Sequence, residues 1–314
     1  MTPMHAATTD LLAGSLRELL HGGRDLGPAL AELGWDEVLA DDPAGATTLL
    51  FVEHGRALAT SRALDDVVLR ELAGVLPPAS GTRAVLHPLG EPVAGRAHGV
   101  LLGSLDGIDE VVVPAGAATL LVVPADRLAP ITSAAAGFDP RSGWSVVDGP
   151  LTGHHEPVPA GDAWTAAVGA AHRALAAEII GVGEAALAVA VAHTSARQQF
   201  GRPIASFQAV RHRLAEAHVV LTAARSVLDA AWTAPDPGWA AALAKLQAGR
   251  AQAAVMRSAV QVSGAMGLSQ EGEVPRHVTR AGALDALYGG HVALACSTGE
   301  ALLAGAPLDP VVEV

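Results

Sequence analysis

Between Ala196 and Gly201 the chain runs Ala-Arg-Gln-Gln-Phe-Gly, and Arg-Pro-Ile-Ala-Ser-Phe-Gln-Ala-Val follows at once. A cation, two amides and an aromatic ring are bunched there. The Arg197 guanidinium offers five donors in a fixed fork, which suits a phosphate or pyrophosphate. The ring of Phe200 offers a flat face to a heterocycle. Together they point to a nucleotide cofactor. Taken alone, Arg197 reads as a surface salt-bridge residue, and Gln208 as a helix cap or an interhelical link.

These residues need elements to place them. The apolar run Trp164–Ala192 predicts a long helix that delivers the cluster at its end, where Gly201 and Pro203 break it. A second loop, Gln261-Val-Ser-Gly-Ala-Met-Gly-Leu, follows another helical stretch and reads at least as a helix C-terminal turn. Three regions emerge. Residues 1–76 alternate helical patterns with breaks, and Leu11, Leu12, Leu16, Leu19 and Leu20 fall at helical spacing. Residues 77–160 carry short runs such as Ala84-Val-Leu-His, Gly99-Val-Leu-Leu, Glu110-Val-Val-Val and Thr119-Leu-Leu-Val-Val between Gly, Pro and Asp, the signature of strands and turns. In 161–314 the helical period returns. Breaks at Gly201–Pro203, Pro235–Gly238, Gly264–Pro275 and Gly289–Gly290 leave about four long helices, hence a four-helix bundle. The predicted class is mostly α with a small β domain.

The spacing from Arg197 through Gln199, Phe200 and Gly201 to Gln208 resembles the C-terminal helical domain of the acyl-CoA dehydrogenases, a family of FAD enzymes. The loop from Gln261 through Gly264 and Ala265, followed by Glu271, Pro275 and Arg280, is similar to the family's Gln-x-x-Gly-Gly-x-Gly loop. Leu214-Ala215-Glu216 and Lys245 also match. So do the opening segments Leu30-Ala-Glu-Leu-Gly-Trp-Asp-Glu-Val-Leu, Asp42-Pro-Ala-Gly and Glu53-His-Gly-Arg-Ala-Leu-Ala. The likeness is strong from Trp164 to Gly290, moderate before Gly74 and weak between. It implies an N-terminal helical domain, a reduced middle β-barrel and a C-terminal four-helix bundle. It also implies that Arg197, Gln199, Phe200, Gln208, Gln261, Gly264 and Ala265 contact the ADP half of FAD.

Two departures qualify the likeness. Common family members carry Tyr-Glu-Gly-Thr where this chain has Tyr288-Gly289-Gly290-His291. Their Glu removes the α-proton of an acyl thioester while a hydride leaves Cβ for the flavin. Gly289 has no side chain and transfers no proton. Ala171 stands near the other base position known in relatives and is not an acid either. Glu178 and Glu184 lie further along that helix, away from any known base position, and read as solvated or interhelical residues. In the β region Leu89-Gly-Glu-Pro-Val-Ala-Gly is at most a remnant of the segment that holds the flavin ring, and no Trp-Ile-Thr is present. The chain keeps what would grip the ADP end of FAD and lacks what would hold and use the ring.

That combination resembles the short, base-less subunits of heterotetrameric (α2β2) acyl-CoA dehydrogenases of actinobacterial steroid degradation. The resemblance implies a catalytic partner subunit, an acyl-CoA substrate, an electron-transfer flavoprotein as acceptor, and inactivity of the chain alone. A non-enzymatic scaffold of the same fold that has lost flavin is the alternative.

Composition narrows the rest. A net charge of -12 argues against nucleic acid or an anionic membrane as partner. Half the residues are hydrophobic but only 3% are aromatic, and Ala-rich helices favour close-packed bundles. Cys296 is the only cysteine, which leaves no internal disulfide and fits a reducing cytoplasm. No signal peptide is visible at Met-Thr-Pro-Met-His-Ala-Ala, and the glutamates in the apolar run favour a buried helix over a membrane span. His154-His155 has no acidic or cysteine companion and reads as loop, so no metal site is expected. His291 reads as a helix cap or solvated residue, with acid–base chemistry as the sharper possibility. Arg211, His212 and Arg213 read as a solvated face, and Tyr288 as packing.

Overall fold

The computed structural model describes residues 4–22, 25–269 and 272–306, so Glu271 of the second motif lies outside the described residues. Five helices open the chain: α1 (Ala6–His21), α2 (Leu26–Glu32), α3 (Trp35–Asp41), α4 (Pro43–Arg56) and α5 (Ala63–Leu72). Strands follow as β1 (Arg83–Val85), β2 (His87–Pro88), β3 (Arg96–Leu101), β4 (Glu110–Pro114), β5 (Thr119–Pro124), β6 (Thr132–Ala134), β7 (Ser145–Pro150) and β8 (Pro157–Pro159), with the short α6 (Ala125–Leu128) after β5. Helices return as α7 (Gly161–Ala196), α8 (Gln208–Ala231), α9 (Pro237–Ser263), α10 (Val274–Ala286) and α11 (His291–Leu303). Between α7 and α8 lies a small hairpin, β9 (Gln198–Gln199) and β10 (Arg202–Pro203). Each break expected in the sequence ends a helix. The result is three long helices and two of 13 residues where about four long ones were expected: the four breaks leave five segments, and the last two are short.

Two compact units partition the chain. The first comprises Met1–Ala59, Arg173–Asp285 and His291–Val314; the second comprises Thr60–His172 and Ala286–Gly290.

In the first unit, α4 starts as its sequence dictates. Asp42 accepts a hydrogen bond from the Gly45 amide at 2.9 Å, and Pro43 occupies the first helical position, where its missing N–H costs nothing. Gly55 on α4 and Gly181 on α7 let the two backbones touch. A methyl on Gly55 would overlap the Glu178 carbonyl, and one on Gly181 would overlap that of Val52. This approach sets buried His54 3.0 Å from buried Glu178, and Arg56 2.6 Å from Glu184. Both glutamates of the apolar run are therefore interhelical. Glu53 is 2% exposed and takes Arg17 at 2.8 Å and Arg56 at 2.5 Å. Burial alone would raise the Glu53 pKa; the two guanidiniums hold it below the ordinary value. α7 is long and apolar enough to cross a membrane by composition, and 72% of that stretch is buried within the protein.

The second unit holds two four-stranded sheets, ordered β1-β4-β5-β8 and β2-β3-β7-β6. Only Leu86 separates β1 from β2, so the chain steps directly from one sheet to the other. Ala84, Val111, Val113 and Val123 from one sheet share a core with Ala97, Leu101 and Val147 from the other. β1 pairs with β4 in parallel and the remaining pairs in these sheets are antiparallel.

The only lysine of the chain, Lys245 on α9, is fully buried and donates to the Asp285 carbonyl at 2.8 Å. Burial lowers its pKa to about 8 against the pull of the Asp285 charge. The unfolded chain therefore binds the extra proton between pH 8 and 10.5, and stability must rise with pH across that window. The only tyrosine acts the other way. Burial raises the Tyr288 pKa well above 10.0, so the unfolded phenol ionises first and stability falls at higher pH still. The urea midpoint should climb from pH 8 towards 10, by an amount on the order of 3 kcal/mol at most, then decline. Lys245→Met should abolish the climb; an unchanged climb would assign it to another group.

Candidate functional site

The first motif lies at the end of α7. The Arg197 amide donates to the His193 carbonyl at 2.9 Å, and the Ile204 amide returns to the Arg197 carbonyl at 2.8 Å. Between them β9 and β10 pair, with Gln199 opposite Arg202. The two residues at the hairpin tip, Phe200 and Gly201, have φ of 54° and 78°. Two positive φ values mark the tight hairpin turn that normally takes Asn-Gly. A phenylalanine in the first position is under strain, and its ring is 91% exposed. The ring meets Phe207 edge-on at 6.1 Å, and the Arg202 guanidinium lies 4.2 Å over Phe207. A strained, solvent-facing aromatic gains nothing for the fold by being there, which marks it as a contact surface. Arg197 is exposed and makes no ion pair among the described residues, so it does not take the surface salt-bridge role.

The second motif ends α9. Gln261 is exposed on its last turn, Gly264 has φ 60°, and Ala265 is exposed in the 3-10 turn Gly264–Gly267. Gln199 is exposed on the hairpin, and Gln208 is exposed at the first position of α8. His193 of α7 and Ser263 and Met266 of the second motif line one cleft of ≈ 560 Å³, with Glu273 and Val274 on its far wall. The Ser263 hydroxyl is buried there without a hydrogen-bond partner among the described residues. The structure thus brings the last turns of α7, which lead into the first motif, beside the second motif; none of the seven residues expected to contact FAD lines the cleft itself. It adds His193, Ser263 and Phe207, which the sequence pattern did not single out. Phe207 carried a signal, an aromatic just past the Gly-Arg-Pro turn; Ser263 carried none, because a serine at a helix end usually caps.

Around the expected base position, Gly289 has φ 91° and follows Tyr288, which is buried. His291 opens α11. Its amide donates to Asp285 Oδ1 at 3.2 Å and its Nδ1 lies 2.7 Å from Asp285 Oδ2. Asp285 so caps α11 and orients the imidazole. Gly249 makes room for the pair, since a Cβ there would lie 2.6 Å from the Cβ of His291. His154 is exposed and His155 half-buried, both in loop, and Arg211, His212 and Arg213 are exposed.

Residues 165–298 match the family model "Acyl-CoA dehydrogenase, C-terminal domain". The chain is 40% identical over 107 residues to the acyl-CoA dehydrogenase IpdE2 of Mycobacterium tuberculosis, a stretch covering 34% of this chain and 33% of that protein. The match therefore spans about a third of the length of that curated relative. The fold extends much further. A chain of the ChsE4-ChsE5 complex from Mycobacterium tuberculosis superposes with a TM-score of 0.72 over 98% of this chain and 100% of its own, at 23% identity. A chain of the Tcur3481-Tcur3483 steroid ACAD superposes at 0.76 over 96% and 99%, also at 23% identity. The whole chain has the acyl-CoA dehydrogenase fold, mostly helical with a small sheet region.

The strain at Phe200 is measurable. Surface substitutions to glycine ordinarily destabilise by about 0.5–1 kcal/mol. Phe200→Gly should instead leave the unfolding free energy unchanged or raise it by up to ~1 kcal/mol, because the left-handed turn is relieved. A loss above ~1 kcal/mol in denaturant titration would show that the ring packs for stability instead.

Proposed function

We propose that the chain is the subunit without a base in a heteromeric, FAD-dependent acyl-CoA dehydrogenase that introduces an α,β double bond into an acyl-CoA thioester. The observation that carries this reading is exposed Arg197, which makes no ion pair among the described residues, next to strained, exposed Phe200, near a cleft lined by Ser263 and Met266 of the second motif. The fit to a dinucleotide is chemical. An exposed guanidinium suits a pyrophosphate, the aromatic face suits an adenosine, and the Ser263 hydroxyl, without a hydrogen-bond partner among the described residues, suits a polar ligand edge. FAD bound there would supply the hydride acceptor of the reaction. Arg197, Gln199, Phe200, Gln208, Gln261, Gly264 and Ala265 would hold its ADP half, the ring lying in a partner subunit.

The chain contributes no proton acceptor at Gly289, and its flavin-ring segment is reduced. The partner subunit must bring the base and the ring site, in an α2β2 complex. Relatives of the same fold assembled from two different chains, one of them called a steroid ACAD, support a heteromeric complex and a steroid-derived CoA ester. An electron-transfer flavoprotein is the proposed acceptor and the cytoplasm the proposed compartment.

The chain purified alone should show no turnover with an artificial electron acceptor across a CoA-ester panel, since loss of a positioned base costs ~10²–10⁴-fold or more. Robust turnover by the isolated chain would contradict the assignment. In the complex, Arg197→Ala should weaken flavin retention by ~10–150-fold, from a charge-assisted bond of roughly 1.5–3 kcal/mol. Turnover per bound flavin should stay near normal, and Arg197→Lys should recover retention only in part. Full flavin after dialysis of the Arg197→Ala complex would return Arg197 to a solvated surface residue.

A further inference from the structure

A second cleft, of ≈ 660 Å³, opens in the first unit between α1, α4 and the end of α8. None of the residues expected to contact FAD lines it, and it shares no lining residue with the cleft at His193 and Ser263. The Met4 amide donates to Asp42 at 3.0 Å and Arg17 donates to Glu53 at 2.8 Å, so α1 runs beside α4 in the same direction. Trp232 Nε1 donates to Thr48 Oγ1 at 3.2 Å, while Arg225 and Arg56 share Glu184, so α8 runs the opposite way. These directions decide which charges meet at each end of the cleft.

Where α4 finishes, three guanidiniums from three helices converge. Glu53 takes Arg17 and Arg56, and Glu184 takes Arg56 and Arg225, with contacts between 2.5 and 2.9 Å. Three cations on two carboxylates leave one positive charge over. Buried Glu53 stays ionised under its two arginines and so fixes them from beneath. Arg56 spends all three nitrogens on these carboxylates. Arg17 Nη1, and Arg225 Nε and Nη1, make no hydrogen bond among the described residues. These N–H edges stand on two different walls of one cleft, on side chains 54% and 38% exposed. Two pre-positioned guanidinium edges over a cleft suit an anion.

The floor is apolar, with Ala13 and Val52 buried, Leu49 half-buried, and the Trp232 indole held by its bond to Thr48. Towards the start of α4 the charge reverses. Asp10 lies two helical turns before Arg17, and Asp229 one turn after Arg225, about 6 Å along the helix axis. Both are exposed and make no hydrogen bond or ion pair among the described residues. Asp42, beyond them, spends its oxygens on the Met4 and Gly45 amides.

We propose that this cleft binds a small ω-amino carboxylate: its carboxylate between Arg17 and Arg225, its apolar body over Leu49, Val52 and Trp232, and its ammonium towards Asp10 and Asp229. A dicarboxylate would meet like charge at the aspartate end, and a plain amine would meet it at the arginine end. The cleft has the size and the mostly apolar lining, with a few placed charges, of a small-molecule site. The proposal does not depend on the acyl-CoA reading, because binding is measured without turnover.

The probes are 6-aminohexanoate, hexanoate and adipate, which share a chain length and differ at the far end. Each is titrated by saturation-transfer NMR into the full chain, in complex with its partner subunit where one co-purifies. Wild type should bind 6-aminohexanoate saturably with a Kd of about 1 mM or tighter, hexanoate ~10-fold more weakly, and adipate more weakly still. Arg225→Gln should weaken 6-aminohexanoate ~10-fold, the low end for a charge-assisted hydrogen bond. Glu184 keeps Arg56 in that variant, whereas loss of Arg17 would uncover a buried carboxylate. Asp229→Lys, a change at an exposed position, should reverse the order and make adipate the tightest of the three. No saturable binding by wild type, equal binding of the three probes, or an unchanged Kd in Arg225→Gln overturns the proposal. Should Arg225→Gln fail to fold, Asp229→Lys decides: an order that does not reverse overturns it.

Discussion

The backbone contact between α4 and α7 is the constraint on which the first unit depends. Two glycines, Gly55 and Gly181, remove the only atoms that would hold these helices apart. Buried His54 pairs with buried Glu178 across the contact, and partly exposed Arg56 pairs with Glu184. Removing one partner of the buried pair would cost more than the pair itself stabilises. The crossing fixes the direction of the last turns of α7, and those turns carry the Arg197–Gly201 cluster. A site built on a helix anchored this way inherits its rigidity.

What the helix delivers is an exposed cluster of polar and aromatic side chains. Arg197, Phe200, Gln199, Gln208 and Gln261 all face solvent, and Phe200 does so in a backbone conformation the residue disfavours. Catalytic groups are usually enclosed, because low dielectric strengthens their electrostatics. An exposed cluster of binding groups with no acid or base among them fits a surface completed by something else. The Ser263 hydroxyl, buried at the cleft and without a partner among the described residues, carries the same meaning at smaller scale.

Much of this was legible in the residue pattern, and the exceptions have physical causes. Helix ends at Gly201, Gly264 and Gly289 were visible because glycine and proline punctuate without tertiary help. The strand β4 announced itself through Glu110-Val-Val-Val. β8 did not, since Pro157-Val-Pro159 looks like loop. It is tolerated because it pairs on one side only, with β5, at the edge of its sheet, where a missing amide hydrogen does little harm. The two motif segments lie after α7 and at the end of α9, as the helix breaks suggest, yet the cleft that His193 shares with Ser263 and Met266 depends on how α7 lies against the α9–α10 connection, which no local pattern encodes. The buried hydrogen bonds that link Asp65, His87 and Tyr288 were invisible for the same reason: His87 and Tyr288 are separated by 201 positions. Tyr288 looked like packing because its hydroxyl partner could not be read from its neighbours in sequence.

The buried state of Lys245 reaches beyond stability. With that one lysine fully buried, the positive charge on the protein's surface is carried entirely by arginine and histidine. A guanidinium stays protonated and resists acylation where an amine would react. Amine-directed cross-linkers, labels and regulatory acylation would therefore find no exposed lysine side chain on the folded protein. In a mixed complex, lysine-specific chemistry would write almost wholly on the partner.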